Sequence, residues 1–271
     1  MQGRLSPQID GIIQSFPINS WKYEFEQAQQ LGFETMEWVF DLNDNPIMHN
    51  QNIEEILFLS EKYNIQINSI CADYFMEKRL FSESENAISE NIKVLEKLII
   101  QSEKLGISLI EIPLVDISSL KTEQNKLDFK KNIEKILPLL DTTNISILLE
   151  TDLPPLDFKN YLLQFDTSKI FANYDSGNSA SLGYMHNEEL TILKKWIKNV
   201  HVKDRKLGGD TVPFGTGNTN FDLFFSSLSK INYSEDLILQ GSRCLENTLS
   251  PSETCQKYLD FVNEYLNKYY N

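Results

Sequence analysis

From end to end, short β-type runs alternate with longer amphipathic stretches, and this alternation constrains the fold more than any other feature of the chain. Parallel strands need a long crossover between them, and a helix is the usual one. The spacing predicts strands at Gly3–Ser6, Thr35–Phe40, Gln66–Cys71, Leu109–Ile112, Ser146–Glu150, Ile170–Tyr174, Asn199–Val202 and Leu237–Gln240. Helices are predicted at Trp21–Leu31, Ile53–Tyr63, Glu85–Leu105, Lys126–Leu140, Phe158–Phe165, Glu188–Ile197 and Phe221–Leu228, and a last one starts at Pro251. Gly32 and Gly106 follow leucine where two helices must stop, as left-handed C-caps do. Several strands are apolar at nearly every position, as in a sheet covered on both faces. Eight strand–helix units in strict order predict the α/β class, as one (β/α)8 TIM barrel over residues 1–271. A doubly wound sheet usually carries a Gly-rich turn after its first strand, and Met1-Gln2-Gly3-Arg4-Leu5 is not one.

Composition narrows the function classes. The formal charge is −14, and diffuse acidity of that size disfavours binding to a phosphate backbone. No apolar run approaches the ~20 residues that span a bilayer, and the N-terminal segment lacks an apolar secretory core. A cytoplasmic protein acting on a small molecule is expected, without nucleic-acid or membrane partners. Cys71, Cys244 and Cys255 show no metal-type spacing and read as reduced thiols.

In such barrels the chemistry sits at the C-terminal ends of the strands. Four successive strands end in or near Glu150, Asp175, His201 and Gln240. Neighbouring strands lie about 4.8 Å apart, so these groups can converge on one ion. Three oxygen donors and an imidazole suit Mn²⁺, Mg²⁺, Zn²⁺ or Co²⁺. Glu150 follows Ile-Leu-Leu, where a carboxylate is costly unless paired or metal-bound. Lys203, Arg205 and Lys206 form a basic cluster after the seventh strand, before Gly208-Gly209, and Arg243 follows the eighth. These residues are candidates for an anion site. Trp38, Phe40, Tyr74 and Phe75 lie near the ends of the second and third strands, as pocket wall or as packing core, with core favoured for Phe40 and Phe75.

The segments Leu31-Gly32-Phe33-Glu34, Met36-Glu37-Trp38, Leu148-Leu149-Glu150, Asn173-Tyr174-Asp175-Ser176-Gly177-Asn178, Val200-His201-Val202-Lys203-Asp204 and Val212-Pro213-Phe214-Gly215-Thr216-Gly217 resemble those of the sugar-phosphate isomerase/epimerase superfamily of xylose isomerase-like barrels. The pentulose-5-phosphate 3-epimerases and hexulose-phosphate isomerases are the members it brings closest. The resemblance implies metal ligands at Glu150, Asp175, His201 and Gln240. It also implies proton abstraction beside a carbonyl, with the ion stabilising an enediolate. Asn178, Lys203, Arg205, Arg243 and Glu37 are the expected substrate-binding residues, and helix-face homodimers are common among such barrels.

Two departures bear on mechanism. Most relatives carry glutamate at the last ligand position, where this chain has Gln240. Many carry histidine shortly after the aspartate, where it has Asn178. A glutamine oxygen can hold a metal, but the amide cannot serve as a general base. Glu150 is therefore the one clear base, which moves the expectation from two-base epimerisation towards one-base isomerisation. Glu37, Asp73 and Asp152 are candidates for a second base. A metal-dependent dehydratase of a polyol ketone, or a non-catalytic sugar-binding barrel, would use the same constellation. An endonuclease IV-like zinc site needs more histidines than the 3 present.

Overall fold

The computed structural model describes residues 1–9, 11–243 and 249–270; Cys244 lies outside them. Seven parallel strands form one sheet in sequence order: β1 (Thr35–Val39), β2 (Gln66–Cys71), β3 (Leu109–Leu114), β4 (Ser146–Thr151), β5 (Ile170–Asp175), β6 (Ile197–Val202) and β7 (Leu237–Leu239). The helices are α1 (Trp21–Leu31), α2 (Asn50–Tyr63), α3 (Tyr74–Glu77), α4 (Glu85–Leu105), α5 (Glu123–Ile133), α6 (Leu137–Leu140), α7 (Pro155–Leu162), α8 (Ser176–Leu182), α9 (His186–Leu193), α10 (Phe221–Lys230) and α11 (Pro251–Tyr269). The result is a nearly closed barrel with alternating helices.

The eighth position is where the expectation and the structure differ. Gly3–Ser6 is not a strand. Instead Gln2 bridges Glu37 of β1, and the Met1 carbonyl accepts from the Glu37 backbone N–H at 2.8 Å. Gly3 has φ +47°, and a Cβ there would crowd Val39 Cγ2 at 3.3 Å, so the chain turns away after two residues. Side chains close the remaining gap. Arg4 Nε donates to the Gly241 carbonyl at 3.0 Å, and Gln240 Nε2 donates to Gln2 Oε1 at 2.8 Å. The barrel is thus sealed by the first residues of the chain reaching across to the last strand.

Local chemistry explains most element ends. Gly32 and Gly106 adopt the left-handed conformation with φ of 81° and 72°. Ser250 and Glu253 form a reciprocal capping box that starts α11 at Pro251. The predicted helix Lys126–Leu140 is two helices joined by a 3₁₀ turn, because Pro138 cannot donate to the preceding turn. The core is continuous from the barrel interior to the helix faces, and Ile110, Ile112, Ile147, Leu148, Leu149 and Val200 show no accessible surface. Trp38, Phe40 and Phe75 belong to this core, and Trp38 Nε1 donates to Asn45 Oδ1. Cys71 and Cys255 are free, buried thiols. Among the described residues no helix is long and apolar enough to cross a membrane.

Candidate active site

The strand register brings the polar side chains together. β5 and β6 pair with Asp175 opposite His201, and β3 pairs with β4 so that Pro113 lies opposite Glu150. His201 stands at the centre, 1% exposed. Its Nδ1 is 3.3 Å from Glu150 Oε2 and 3.8 Å from Asp175 Oδ2. Its Nε2 lies 2.8 Å from Glu37 Oε1.

Glu37 lies beneath the cavity. Its two oxygens also accept from Gln2 Nε2, Ser69 Oγ and Asn199 Nδ2, at 2.7–2.9 Å. Expected among the substrate-binding residues, it instead backs the histidine, 2% exposed and with its acceptors occupied. An ionised carboxylate can only accept, so at this distance it favours a proton on Nε2, while Nδ1 faces Glu150, Asp175 and the Asn173 amide 3.1 Å away. Metal-binding histidines commonly have a carboxylate behind them in this way.

Burial alone would favour neutral imidazole, but Glu37 together with Asp175 and Glu150 outweighs it and holds the His201 pKa well above its ordinary value. Burial likewise opposes ionisation of Asp175, yet Lys203 and His201 bring its carboxyl down to about 2. Lys203 Nζ is 3.3 Å from Asp175 Oδ2.

The segment Asp175-Ser176-Gly177-Asn178 has a use for each residue. Asp175 Oδ1 caps α8 by accepting from the Asn178 N–H at 2.8 Å. Ser176 Oγ bonds both backbone groups of Lys203. Gly177 is required because a Cβ would lie 2.7 Å from Lys203 Cγ. Asn178 Nδ2 donates to Glu150 Oε1 at 2.6 Å, and its Oδ1 accepts from Arg205 at 2.7 Å. Asn173 Nδ2 donates to the other Glu150 oxygen at 2.5 Å. Two asparagines therefore fix the Glu150 carboxylate from opposite sides.

The turn after β6 is organised by Asp204, which has no accessible surface. Its carboxylate accepts from the N–H groups of Gly217 and Thr219, at 2.8 and 3.0 Å. A Cβ on Gly217 would overlap that carboxylate and lie 2.7 Å from the Arg205 carbonyl. The buried aspartate and the Pro-Phe-Gly-x-Gly turn are thus one device that presents Lys203 and Arg205.

A cavity of about 740 Å³ opens above this cluster, within the range of small-molecule sites. Glu150, Asn178, Lys203, Arg205 and Gln240 line it, as do Glu111 and Asp73. Exposed Ile12, Leu42 and Ile117 give it an apolar rim. Arg243 instead ties down the N-terminal loop, donating to the Ile13 and Ser6 carbonyls. Asp152 accepts from Ser119 Oγ at 2.8 Å. Asp73 faces the cavity, and burial raises its pKa to about 6.

Glu111 escapes a reading of strand ends. It lies inside β3, 1% exposed, with Oε2 4.0 Å from His201 Nε2. Burial, then the neighbouring Glu150, pushes its carboxyl well above the usual range. The signal in the sequence is a carboxylate between two isoleucines, Ile110 and Ile112.

The donor set fits a divalent ion. Ligand atoms of Glu111, Glu150 and His201 lie within 4.8 Å of one another. Glu111 Oε2 and Gln240 Oε1 are buried oxygens that accept no hydrogen bond among the described residues, while Asp175 Oδ2 faces the Lys203 ammonium. Buried polar atoms are normally satisfied, so such oxygens at one mouth mark a place for a cation.

Residues 25–251 match the sequence profile described as "Xylose isomerase-like TIM barrel". The chain belongs to this family. Its curated relatives include the Haemophilus influenzae protein named "Putative L-ribulose-5-phosphate 3-epimerase SgbU", 28% identical over 79% of this chain and 81% of that one. They also include L-ribulose-5-phosphate 3-epimerase UlaE of Escherichia coli, 23% identical over 89% of this chain and 88% of the other. Among solved structures, an L-ribulose 3-epimerase superposes with TM-score 0.78 at 14% identity, over 99% of this chain and 94% of that one. The 3-keto-D-glucoside 4-epimerase YcjR of Escherichia coli gives 0.75 at 16%, over 92% and 95%. These likenesses to solved structures show a shared barrel fold.

Proposed function

We propose that this protein is a metal-dependent epimerase or isomerase of a small ketose or ketose phosphate, with Glu150 as the proton-abstracting base. The observation that carries the reading is the convergence of Glu150 and Asp175 on His201 Nδ1, at 3.3 and 3.8 Å, beneath a sugar-sized cavity. Sugar epimerases among the relatives support it. Glu150, Asp175, His201 and Gln240 would hold the ion. When bound, a divalent ion polarises a substrate carbonyl and stabilises the charge that develops there.

The residues of the chain do the rest. Asn173 and Asn178 hold Glu150 in one rotamer, so its basic lone pair meets the cavity in a fixed direction. Glu150 takes the proton from the carbon beside the carbonyl. Return to the same carbon from the opposite face, by a second acid, gives epimerisation. Return by Glu150 to the neighbouring carbon gives aldose–ketose isomerisation, the route that Gln240 favours because an amide cannot act as the second base. Lys203 and Arg205 are the cations available to a phosphorylated substrate.

The test is turnover of L-ribulose 5-phosphate and of free ketoses, with Mn²⁺ and after chelation. Chelation should abolish activity, and Glu150→Gln should lower kcat by at least ~10²-fold, since proton transfer by a positioned group contributes about 10²–10⁴. Full turnover by Glu150→Gln would remove the assignment.

A further inference from the structure

Gln240 leaves the proposed site with two carboxylates, Glu150 and Asp175. The barrel supplies another one from an unexpected layer. Glu111 is paired with Leu148 across β3 and β4, two residues below Glu150 on the neighbouring strand. Its side chain nevertheless reaches up to the mouth, because it lines the cavity and its ligand atom lies within 4.8 Å of those of Glu150 and His201. Glu111 Oε2 is buried and accepts no hydrogen bond among the described residues. An acceptor in that position is unfavourable unless a cation or donor meets it.

The other grouping open to it, with Glu37 and Cys71, does not make a site. Glu37 is already engaged by Gln2, Ser69, Asn199 and His201. The Cys71 sulfur accepts from Gln14 and donates to Asp73. Towards Glu150 and His201, Glu111 meets the carboxylate and the imidazole on which Asp175 also converges.

We propose that Glu111 is the third carboxylate of the metal centre, standing in for the one that Gln240 lacks. The proposal rests on the metal-dependent reading above and deepens it. A divalent ion held by Glu111, Glu150, Asp175 and His201 has three anionic ligands, and the neutral amide of Gln240 completes the set. The departure at position 240 is then a relocation of charge from the last strand to β3.

Two measurements test this without reference to turnover. Calorimetric titration of Mn²⁺ into the wild type, Glu111→Gln and Glu150→Gln should show affinity reduced at least ten-fold in both variants. Wild-type affinity in Glu111→Gln, with loss in Glu150→Gln, overturns the role of Glu111 and leaves the metal-dependent reading standing. A wild type that binds no Mn²⁺ overturns both. If Glu111→Gln does not fold, anomalous diffraction from a Mn²⁺-soaked wild-type crystal takes its place. The ion should lie about 2.0–2.2 Å from a Glu111 oxygen, the usual range for carboxylate ligands. An ion held by Glu150 and His201 with Glu111 beyond ~3.5 Å overturns the proposal.

Discussion

Replacing Glu37 by glutamine separates a residue that backs the histidine from one that touches the sugar. Four donors converge on the Glu37 carboxylate, with Gln2 and His201 at Oε1 and Ser69 and Asn199 at Oε2. A glutamine must turn its NH₂ towards one of these pairs. Towards Gln2 and His201 it would oppose two N–H groups. Towards Ser69 and Asn199 it can be accommodated, because a hydroxyl can accept and the Asn199 amide can flip to present its otherwise unpartnered Oδ1. His201 Nε2 then faces a neutral amide oxygen in place of a carboxylate. Charge-assisted hydrogen bonds are about twice as strong as neutral ones, so the loss is roughly 1–1.5 kcal/mol. That corresponds to about ten-fold in Mn²⁺ affinity, at the low end of the 10–100-fold typical for groups behind a metal-bound histidine. The melting temperature should fall by about 2–3 °C. Calorimetry and steady-state kinetics on one preparation read both effects, and KM at saturating Mn²⁺ should stay within about two-fold. Unchanged Mn²⁺ affinity with a raised KM would refute the reasoning and return Glu37 to the substrate.

Three further outcomes follow from the same geometry. A ligand nitrogen must be free of its proton, so Mn²⁺ binding at His201 should release protons and tighten as pH rises from 6 to 8. Binding heats that do not depend on the ionisation enthalpy of the buffer would contradict this. Glu189, buried beside Ser179 and Tyr174, is raised by burial from 4.5 to about 7. Its protonated form favours the fold, so stability is full below pH ~4.5 and is lost as pH rises through 7, by roughly 3 kcal/mol at most. Melting temperatures of Glu189→Gln from pH 5 to 8 should lack that slope, and an unchanged slope would assign it elsewhere. Gly217→Ala forces a methyl into the Asp204 carboxylate and should destabilise by about 1–3 kcal/mol, lowering the melting temperature by roughly 2–5 °C. A variant as stable and active as the parent would show that the turn can yield.

The period of the chain made the barrel legible, and the Leu-Gly pairs at residues 32 and 106 marked helix ends correctly because only a left-handed residue satisfies the last carbonyls. The first strand was misplaced because a positive φ at Gly3 ends the extension early, and nothing in the local sequence states that φ. Helix α8 is not legible because Ser-Gly-Asn-Ser-Ala-Ser-Leu has no apolar period, and its start is fixed by the Asp175 side chain. Glu150, Asp175 and His201, read from strand ends, lie together in the structure. The strand ends do not point to Glu111, because a mid-strand carboxylate reaches the mouth only by the length of its side chain. Position near strand ends points Glu37 and Arg243 to the substrate. Partner geometry, which spacing does not encode, gives them other contacts.

The bonds from Gln240 to Gln2 and from Gln2 to Glu37 have a direction. Glu37 can only accept, so Gln2 must present its NH₂ to Glu37 and its oxygen to residue 240. Residue 240 must therefore be a donor on that side, and its own oxygen is left facing the cavity. A glutamate at 240 would meet an acceptor, and turning Gln2 around to greet it would set that acceptor against Glu37. The side chain on the last strand is thus spelled out from the second residue of the chain. Converting this site to a glutamate-bearing one is a two-position change, at 2 and 240 together.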